Sequence, residues 1–358
     1  MNSLKAKQLK ILYAGDVNEH ANGYHRVLAM KRLGHDVRAF DTTPYNTSGM
    51  RITRSIRYRT AIGPTVERLN RDVIQAAMEF EPALIWFDKA KYTHSETVAR
   101  LRAAGIFTVH QNDDNPFQPE SERGSRNILN ALPEYDLHLL PRRISLEQYR
   151  NAGARDVYWF VPAYEPSLHY PPPPGWSDAD RDIDVVFVGH PYGKRPGYVL
   201  TLWEKYGIRI KVWGDERWGR RWPLAKLPPR ARHLYQGSFL PTASYRETLW
   251  RSRIVLGFVN NTNKDEFSGR SFEIPACGAF LLVEDTQGHR DMYKDGEEVV
   301  LFNSVDDCAQ KIQRYLGDEE ARTRIARAGY ERAVASGYST DARVNGVLQY
   351  IRSKAGAD

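Results

Sequence analysis

The sequence predicts an α/β protein with two domains, each built on a parallel β-sheet. Short apolar runs alternate along the chain with segments in which apolar residues have helical spacing. The chain has 358 residues, which is more than a single hydrophobic core usually organises. Near its middle, four prolines at 171–174 interrupt the alternation with a stiff, extended connector. We therefore expect one α/β domain before this run and a second one after it.

The first half contains six apolar runs that are short enough to be buried strands. The predicted strands are residues 9–14, 36–40, 83–87, 106–110, 137–140 and 157–161. The predicted helices between them are residues 24–33, 66–79, 95–104 and 145–151. Gly34 and Gly105 follow two of these helices, where a glycine is typical of a helix end. The basic stretch 42–59 has no clear pattern and is the least informative part of this half.

The second half repeats the alternation and ends in helices. Its predicted strands are residues 185–188, 208–213, 254–258 and 279–283, and its predicted helices are 198–206, 245–251, 305–316, 319–336 and 340–353. A loop at 189–196 leads from the first strand into the first helix. We accordingly predict domains at residues 1–170 and 171–340, with a last helix at 341–358.

Composition excludes several classes of protein. No run approaches the roughly 18–20 apolar residues that a membrane-spanning helix needs. The apolar patch at 11–14 is too short for an export signal and is more typical of a first strand. Two cysteines, Cys277 and Cys308, provide neither a disulfide framework nor a metal set. These features predict a cytoplasmic protein.

The formal charge of +7 comes with two basic clusters. They consist of Arg51, Arg54, Arg57 and Arg59, and of Arg217, Arg220, Arg221, Lys226, Arg230 and Arg232. Such clusters are typical of proteins that bind an anionic substrate, the inner face of an anionic membrane or nucleic acid, but also of solvated helix faces. Nucleic acid is the least favoured partner because no nucleic-acid-binding motif accompanies the charge.

Residues 265–278, D-E-F-S-G-R-S-F-E-I-P-A-C-G, are the most informative segment for function. Asp265 and Glu273 stand eight positions apart, and Ser268, Gly269 and Arg270 between them suit a turn that meets a phosphate. The apolar run A-F-L-L-V-E follows and predicts a strand. The segment therefore places carboxylates and an arginine at a loop–helix junction, where α/β proteins bind ligands.

This segment resembles the motif of group 1 glycosyltransferases of the GT-B fold, an acid-x7-acid pattern followed by small residues and glycine. The sequence R-S-F-E-I-P-A-C-G is most similar to the CgeB-like, spore-maturation-type subgroup. Three further stretches resemble the family: G-Y-H-R-V-L-A-M-K-R-L-G-H-D-V, H-Q-N-D-D-N-P and Y-L-G-D-E-E-A-R-T-R-I-A-R-A-G. The resemblance implies two Rossmann-like domains facing a central cleft, with the last helix packing back on the first domain.

The resemblance also implies a nucleotide-sugar donor held mainly by the second domain. Glu273 would accept hydrogen bonds from the ribose hydroxyls, and Arg270, Lys194 and Arg195 would neutralise the diphosphate. The first acidic position contacts the donor sugar in the family, and here it is Asp265, shorter than the usual glutamate, with Glu266 beside it as a substitute. The remaining residues that we assign to the donor are Gly189, Gly214, Gly237, Ser238 and Ser271.

The acceptor would lie mainly on the first domain. The glycine loop that would face the cleft consists of Gly23, Tyr24, His25 and Arg26. His110 is a candidate for a catalytic or sugar contact, although a single histidine is as often structural. Asp113 and Asp114 could act as a base or orient an acceptor hydroxyl, or could merely form a turn beside Pro116.

The function that the resemblance implies is transfer of a hexose from a nucleotide-sugar to a hydroxyl of a glycan, a lipid-linked or another acceptor, in polysaccharide or glycoconjugate biosynthesis. The acid-x7-acid pattern belongs to families that retain the anomeric configuration, and we expect no metal or other cofactor because basic side chains would stabilise the leaving group. Two alternatives stay open: a sugar-nucleotide 2-epimerase on the same fold, and a non-catalytic binding protein that has lost turnover. A transferase acting on DNA bases would also use the basic clusters.

Overall fold

The computed structural model describes residues 2–118, 125–219 and 226–356 and confirms the predicted α/β fold with two parallel sheets. The chain divides into two compact units. Unit 1 comprises Met1–Val161 and Thr340–Asp358, and unit 2 comprises Pro162–Ser339.

Unit 1 has a six-stranded parallel sheet in the order β2-β1-β3-β4-β5-β6. The strands are β1 (Lys10–Gly15), β2 (Asp36–Asp41), β3 (Leu84–Asp88), β4 (Phe107–Gln111), β5 (Leu137–Leu140) and β6 (Val157–Trp159). The helices are α1 (Asn22–Arg32), α2 (Thr43–Thr47), α3 (Arg51–Thr60), α4 (Pro64–Phe80), α5 (Ser95–Ala103), α6 (Arg126–Ala131) and α7 (Arg143–Asn151). The central strands are apolar on both faces because helices cover both sides of the sheet.

Unit 2 has a second six-stranded parallel sheet, in the order β12-β11-β10-β7-β8-β9. The strands are β7 (Ile183–Val188), β8 (Ile210–Trp213), β9 (Tyr235–Gly237), β10 (Ser252–Gly257), β11 (Leu281–Glu284) and β12 (Val300–Phe302). The helices are α8 (Arg195–Glu204), α9 (Thr242–Trp250), α10 (Arg270–Ala276), α11 (Gln287–Met292), α12 (Val305–Leu316) and α13 (Glu319–Ala335).

The last helix, α14 (Thr340–Gly356), belongs to unit 1. Its buried residues Val344, Val347 and Ile351 share one apolar core with β1 and α1. At the surface, Arg32 of α1 donates to the carboxylate of Asp341 at 3.1 Å. The chain thus returns to the first unit after completing the second.

The division between the units lies at Val161, earlier than the boundary expected from the proline run at 171–174. Residues 162–170 belong to unit 2 because they bind its helix α9. The indole of Trp250 donates to the carbonyl of Tyr170 at 3.0 Å, and Arg246 donates to that of Leu168 at 2.9 Å. Side-chain contacts of this kind, rather than the stiffness of the prolines, set the boundary.

Six elements were not foreseen from the pattern, namely the strands β9 and β12 and the helices α2, α3, α6 and α11. The strands β9 and β12 have three residues each, which is too short for a periodic signal. Helix α3 has no apolar stripe facing the core, since Arg57 is its one buried residue. In the part of the chain that the structure describes, no helix combines the length and the apolar character needed to cross a membrane.

Candidate functional site

The loops at the carboxyl edge of the unit 2 sheet contain the residues predicted to bind the donor. All strands are parallel, so the segments after β7, β8, β9, β10 and β11 emerge at one edge. This edge is where open α/β sheets bind ligands. The sequence therefore brings the 265–273 segment together with the loop that enters α8.

Three of the predicted glycines join neighbouring loops at this edge. The backbone N–H of Gly189 donates to Trp213 at 2.9 Å, and that of Gly214 donates to Gly237 at 3.1 Å. A Cβ atom on Gly214 would lie 2.2 Å from the carbonyl oxygen of Gly189, and its φ of +135° also favours glycine. The glycines thus hold the loops in place, while Ser238 after β9 is exposed.

Two arginines lie next to each other without a carboxylate partner in the described chain. Arg195 donates to the backbone carbonyls of His190 at 3.0 Å and Phe258 at 3.4 Å. The Nε atom of Arg270 is buried and has no hydrogen-bond partner among the described residues. Burial, together with the positive charge of Arg270, lowers the pKa of Arg195 to about 10. The carboxylates of Glu284 and Asp265 also act on Arg195 and partly offset this shift. Two adjacent guanidinium groups without a direct ion pair are an arrangement that favours an anion.

Lys194 has a different environment from its neighbour Arg195. Its Nζ atom lies 2.6 Å from Oε1 of Glu284, the last residue of β11, and Asn261 donates to the same oxygen at 3.1 Å. Glu284 is buried, so this is a shielded ion pair. The phosphate role predicted for Lys194 therefore competes with Glu284, which sequence reasoning had placed only in a strand.

Glu273 projects from α10 with one carboxylate oxygen held by the protein. The hydroxyl of Tyr245 on α9 donates to Oε2 at 2.9 Å, and no described residue donates to Oε1. Burial and the charge of Glu273 raise the pKa of Tyr245, which keeps its hydroxyl protonated as a donor. A Cβ atom on Gly269 would lie 2.7 Å from Oε1, so the glycine leaves room for the carboxylate. Tyr245 was missed because it lies 28 positions from Glu273.

Ser271, predicted to bind the donor, is instead buried in a hydrogen-bonded chain. Its hydroxyl accepts from the backbone N–H of Ser268 at 3.1 Å and lies 2.8 Å from Nε2 of His289. The other nitrogen of His289 lies 2.8 Å from the carbonyl of Glu284, so it must bear the proton and Ser271 must donate to Nε2. Burial lowers the pKa of His289 to about 4, which keeps the ring neutral. This chain orients the loop that precedes α10.

The two acids at the start of the 265–273 segment are half-buried. The negative charge of Asp265 acts on Arg195, which places this carboxylate near that arginine. The backbone carbonyl of Glu266 accepts a hydrogen bond from Thr286 at 2.8 Å and so fixes the loop against the loop after β11.

Two arginines of the second basic cluster form ion pairs with carboxylates in the described residues. Arg217 binds the Asp215 carboxylate through Nε at 2.8 Å and Nη2 at 2.7 Å, which lowers the pKa of Asp215. Arg230 pairs with Glu204. Arg220 and Arg221 lie outside the described residues.

In unit 1, Arg26 is the centre of a buried network at the carboxyl edge of the sheet. Its guanidinium lies 3.0 Å from the Asp88 carboxylate and 3.5 Å from that of Asp113, and Tyr13 donates to Asp88 at 2.8 Å. Burial raises the pKa of Asp88. Burial acts in the same direction on Asp113, but the charges of Arg26 and Lys89 outweigh it and lower the pKa of that carboxyl.

The other residues of the predicted glycine loop directly precede Arg26 in α1. Gly23 is buried, and a Cβ atom there would lie 2.1 Å from the carbonyl oxygen of Asp16, so only glycine fits. The half-buried rings of Tyr24 and His25 pack edge to face at 6.1 Å.

His110, predicted to contact the sugar or take part in catalysis, is a core residue in the structure. It is 1% exposed, stacks on Tyr135 and places Nδ1 3.0 Å from Nδ1 of His138. Burial lowers the pKa of His110 to about 4, so the ring is neutral. Of the two alternatives that the sequence left open, this placement favours the structural one.

A cavity of about 320 Å³ lies beside Asp88 and Asp114. Its apolar wall includes Phe40, Tyr58 and Phe87. At its polar side, Lys89 lies 3.4 Å from the Asp114 carboxylate. Lys89 and the adjacent Ala90 have φ values of +63° and +42°, an uncommon backbone conformation that is enriched at functional sites. The segment at residues 113–115 thus contributes Asp114 to a cavity and also forms part of a turn.

The described residues contain no group of three or more histidine, cysteine, aspartate or glutamate side chains that could hold a metal ion.

Comparison with known proteins shows which proteins this chain resembles. A family model described as glycosyl transferase-like matches residues 197–349. The spore protein CgeB of Bacillus subtilis (strain 168) is 24% identical over 204 residues, which cover 52% of this chain and 59% of the relative. The chain thus matches less than two thirds of CgeB. These two matches confirm the resemblance predicted from the 265–278 segment.

Solved structures agree in fold over nearly the whole chain. Sucrose-phosphate synthase from Thermosynechococcus elongatus has a TM-score of 0.69 at 13% identity, with 98% of this chain and 100% of that chain covered. Alr3699/HepE of Anabaena in complex with UDP-glucose has a TM-score of 0.66 at 14% identity, with the same coverage of both chains. The chain thus has the GT-B fold, and part of its length is similar to CgeB and to glycosyl transferase-like proteins.

The fold is also found in a putative UDP-N-acetylglucosamine 2-epimerase from Listeria monocytogenes. That structure has a TM-score of 0.59 at 13% identity and covers 98% of each chain. The fold alone therefore does not distinguish a transferase from an epimerase.

Proposed function

We propose that this protein transfers a hexose from a nucleoside diphosphate sugar to an acceptor hydroxyl. One observation is decisive for the proposal: Arg195 and Arg270 adjoin each other at the carboxyl edge of the unit 2 sheet without a carboxylate partner among the described residues. Positive charges that destabilise each other in the absence of ligand become favourable when a diphosphate lies between them.

The diphosphate would bind at the entrance of α8. Arg195 is the first residue of this ten-residue helix, whose dipole favours an anion at that end. Arg270 is the first residue of α10, which follows the loop after β10. As the bond to the sugar breaks, negative charge grows on the diphosphate, and the two fixed guanidinium groups stabilise it. Lys194 would contribute only by exchanging its ion pair with Glu284 for the phosphate.

The ribose would bind at Glu273. Tyr245 fixes one carboxylate oxygen of Glu273, and the other has no protein donor in the described chain. A carboxylate held in this way can accept hydrogen bonds from neighbouring hydroxyls, and such charge-assisted bonds are among the stronger ones. Asp265 near Arg195 would contact the donor sugar, with Glu266 as the alternative.

The acceptor would bind in the cavity of unit 1. Asp114 lines it, and its ion pair with Lys89 orients the carboxylate, as a group that positions a hydroxyl requires. Asp88 also lines the cavity, and its Oδ1 atom is buried without a hydrogen-bond donor in the described residues. Both carboxylates are therefore available to an acceptor hydroxyl.

Retention of the anomeric configuration and independence from metal complete the proposal. The departing diphosphate would help to take the proton of the acceptor hydroxyl as that oxygen attacks the same face of the sugar. Arg195 and Arg270 supply the charge that a metal supplies in other transferases. We propose UDP-glucose as the first donor to test, because HepE has been solved with UDP-glucose.

The test is turnover of UDP-glucose by the full chain with and without added acceptors. We expect release of UDP and transfer of glucose, and loss of both in the double variant Arg270→Ala/Glu273→Ala. The matched control is Arg290→Ala/Glu297→Ala, which removes an exposed residue of each type from the same unit. Turnover that survives in the Arg270→Ala/Glu273→Ala variant would refute the site assignment.

The same assay separates the alternatives. An epimerase would release UDP together with a free epimerised sugar and would need no acceptor. A binding protein would hold UDP in a calorimetric titration but release no sugar. Either outcome would replace transfer as the function while leaving the donor site in unit 2.

A further inference from the structure

The surface around α3 concentrates apolar side chains that the fold leaves in water. Five of the eleven exposed large apolar side chains in the described residues lie between residues 50 and 62. They are Met50, Ile52, Ile56, Tyr58 and Ile62. We call this group, together with Arg51, Arg54 and Arg59, the α3 surface. Ile52 is 73% exposed, far more than an isoleucine in a packed helix.

The orientation of α3 is fixed by its one buried residue. Nη2 of Arg57 donates to the backbone carbonyls of Asn46 at 2.9 Å and Ser48 at 2.8 Å. Ile52 and Ile56 are one helical turn apart and therefore share a face of the helix, which points away from buried Arg57. The hydrogen bonds of Arg57 thus orient α3 so that Ile52 and Ile56 are exposed to solvent.

The α3 surface is also strongly basic. The sequence has no acidic residue between Asp41 and Glu67. Arg51, Arg54 and Arg59 are exposed, and no carboxylate pairs with them in the part of the chain that is described. Apolar and cationic groups are therefore interspersed on one helix without counter-charge.

We propose that the α3 surface binds the surface of an anionic lipid bilayer. A helix with exposed isoleucines and arginines lies in the plane of the interface, where the isoleucines enter the acyl region and the arginines contact anionic head groups. Nucleic acid would account for the arginines but not for the isoleucines, because its phosphates offer no apolar partner.

This surface adjoins the cavity of unit 1. Tyr58 belongs to the α3 surface and also lines the cavity, where Nζ of Lys91 lies 3.2 Å from the centre of its ring. Helix α3 therefore borders the cavity on one side and exposes its isoleucines on another. On the basis of the proposed function, a bilayer bound at α3 would bring lipid-borne hydroxyl compounds close to the acceptor cavity; the lipid contact itself does not depend on that function.

Flotation of the full chain with lipid vesicles tests the proposal. We expect binding to vesicles with about 30% phosphatidylglycerol in phosphatidylcholine and much weaker binding to pure phosphatidylcholine. The variant Ile52→Ser/Ile56→Ser should lose about tenfold in affinity for the anionic vesicles. Arg51→Gln/Arg54→Gln/Arg59→Gln should lose the preference for anionic lipid and most of the sensitivity of binding to salt.

The matched control is Met78→Ser/Ile144→Ser, which removes two exposed apolar side chains of unit 1 outside the α3 surface. It should bind vesicles as the parent protein does. The proposal is overturned if the parent chain ignores anionic vesicles, if the Ile52→Ser/Ile56→Ser variant binds like the control, or if a DNA duplex displaces the vesicles. Titration of UDP into each variant reports separately on the donor site in unit 2.

Discussion

Replacing Arg195 with methionine separates anion binding from the stability of unit 2. Methionine keeps an unbranched apolar side chain and removes the charge, together with the guanidinium that lies 5.8 and 5.7 Å from the rings of Phe187 and Tyr192. The nearby Arg270 then faces no second cation in the absence of ligand. We therefore expect opposite effects on stability and on ligand binding.

The magnitude follows from the pKa of Arg195. Its fall from 12.5 to about 10, at about 1.4 kcal/mol for each factor of ten, corresponds to about 3 kcal/mol against the charged side chain in the folded protein. Its two hydrogen bonds to backbone carbonyls offset this by about 1 kcal/mol each. Arg195→Met should therefore raise the free energy of unfolding by about 1 kcal/mol near neutral pH.

Binding of a nucleoside diphosphate should weaken in the same variant. A hydrogen bond between two charged groups contributes about 1.5–3 kcal/mol, so the Kd for UDP should rise about 10- to 150-fold. Isothermal calorimetry with UDP and urea unfolding of the ligand-free protein measure the two effects. Arg290→Met, whose guanidinium pairs with Asp285 at 2.8 Å, is the matched control and should leave the Kd unchanged. A variant that is less stable and still binds UDP with the parent affinity would refute the reasoning.

Three further predictions concern the surroundings of the site. Gly269→Ala should weaken UDP binding about tenfold in calorimetry, because the new methyl would lie 2.7 Å from Oε1 of Glu273 and displace it; an unchanged Kd would contradict this placement. Tyr245→Phe should raise the Kd for UDP by a smaller factor, about three- to tenfold, with little change for inorganic pyrophosphate, since only the ribose contact depends on the tyrosine. Because the pKa of His289 is lowered from 6.5 to about 4, stability is lost as the pH falls through 6.5 towards 4, by about 3 kcal/mol at most. The free energy of unfolding should therefore differ less between pH 7.5 and pH 4.5 in His289→Gln than in the parent protein. An equal difference in the two proteins would refute this.

The sequence alone predicted those strands and helices whose pattern lies in contiguous residues. Apolar runs at 9–14 and 83–87 predicted β1 and β3 because strands buried on both faces are continuously apolar. The 265–273 segment predicted that Arg270 and Glu273 lie at a loop–helix junction because the glycine turn and the following strand are contiguous in the chain.

The sequence did not predict the environment of each side chain, because partners distant in the chain determine it. Lys194 and Arg195 are neighbours in the sequence, yet Glu284, 90 positions from Lys194, pairs with Lys194. His110 lies near the end of a strand, a position typical of catalytic residues, but in the structure its Nδ1 atom lies 3.0 Å from that of His138 on the adjacent strand, within the core. Pairing across a sheet is set by register, which a single sequence does not reveal.

Helix α3 illustrates a different limit. Helical pattern recognition depends on a stripe of buried apolar residues, and α3 buries an arginine and exposes its isoleucines. Its basic composition was visible in the sequence, but which of the four arginines anchors the helix was not. Only the contacts of Arg57 with Asn46 and Ser48 distinguish the anchor from the exposed arginines.

A structure of the chain with bound UDP tests the central claim most directly. We predict that the diphosphate lies between Arg195 and Arg270, that the ribose hydroxyls donate to Glu273, and that the Tyr245 hydroxyl still donates to the other oxygen of that carboxylate. UDP bound elsewhere in unit 2, with Arg195 and Arg270 still lacking an anion, would contradict the account.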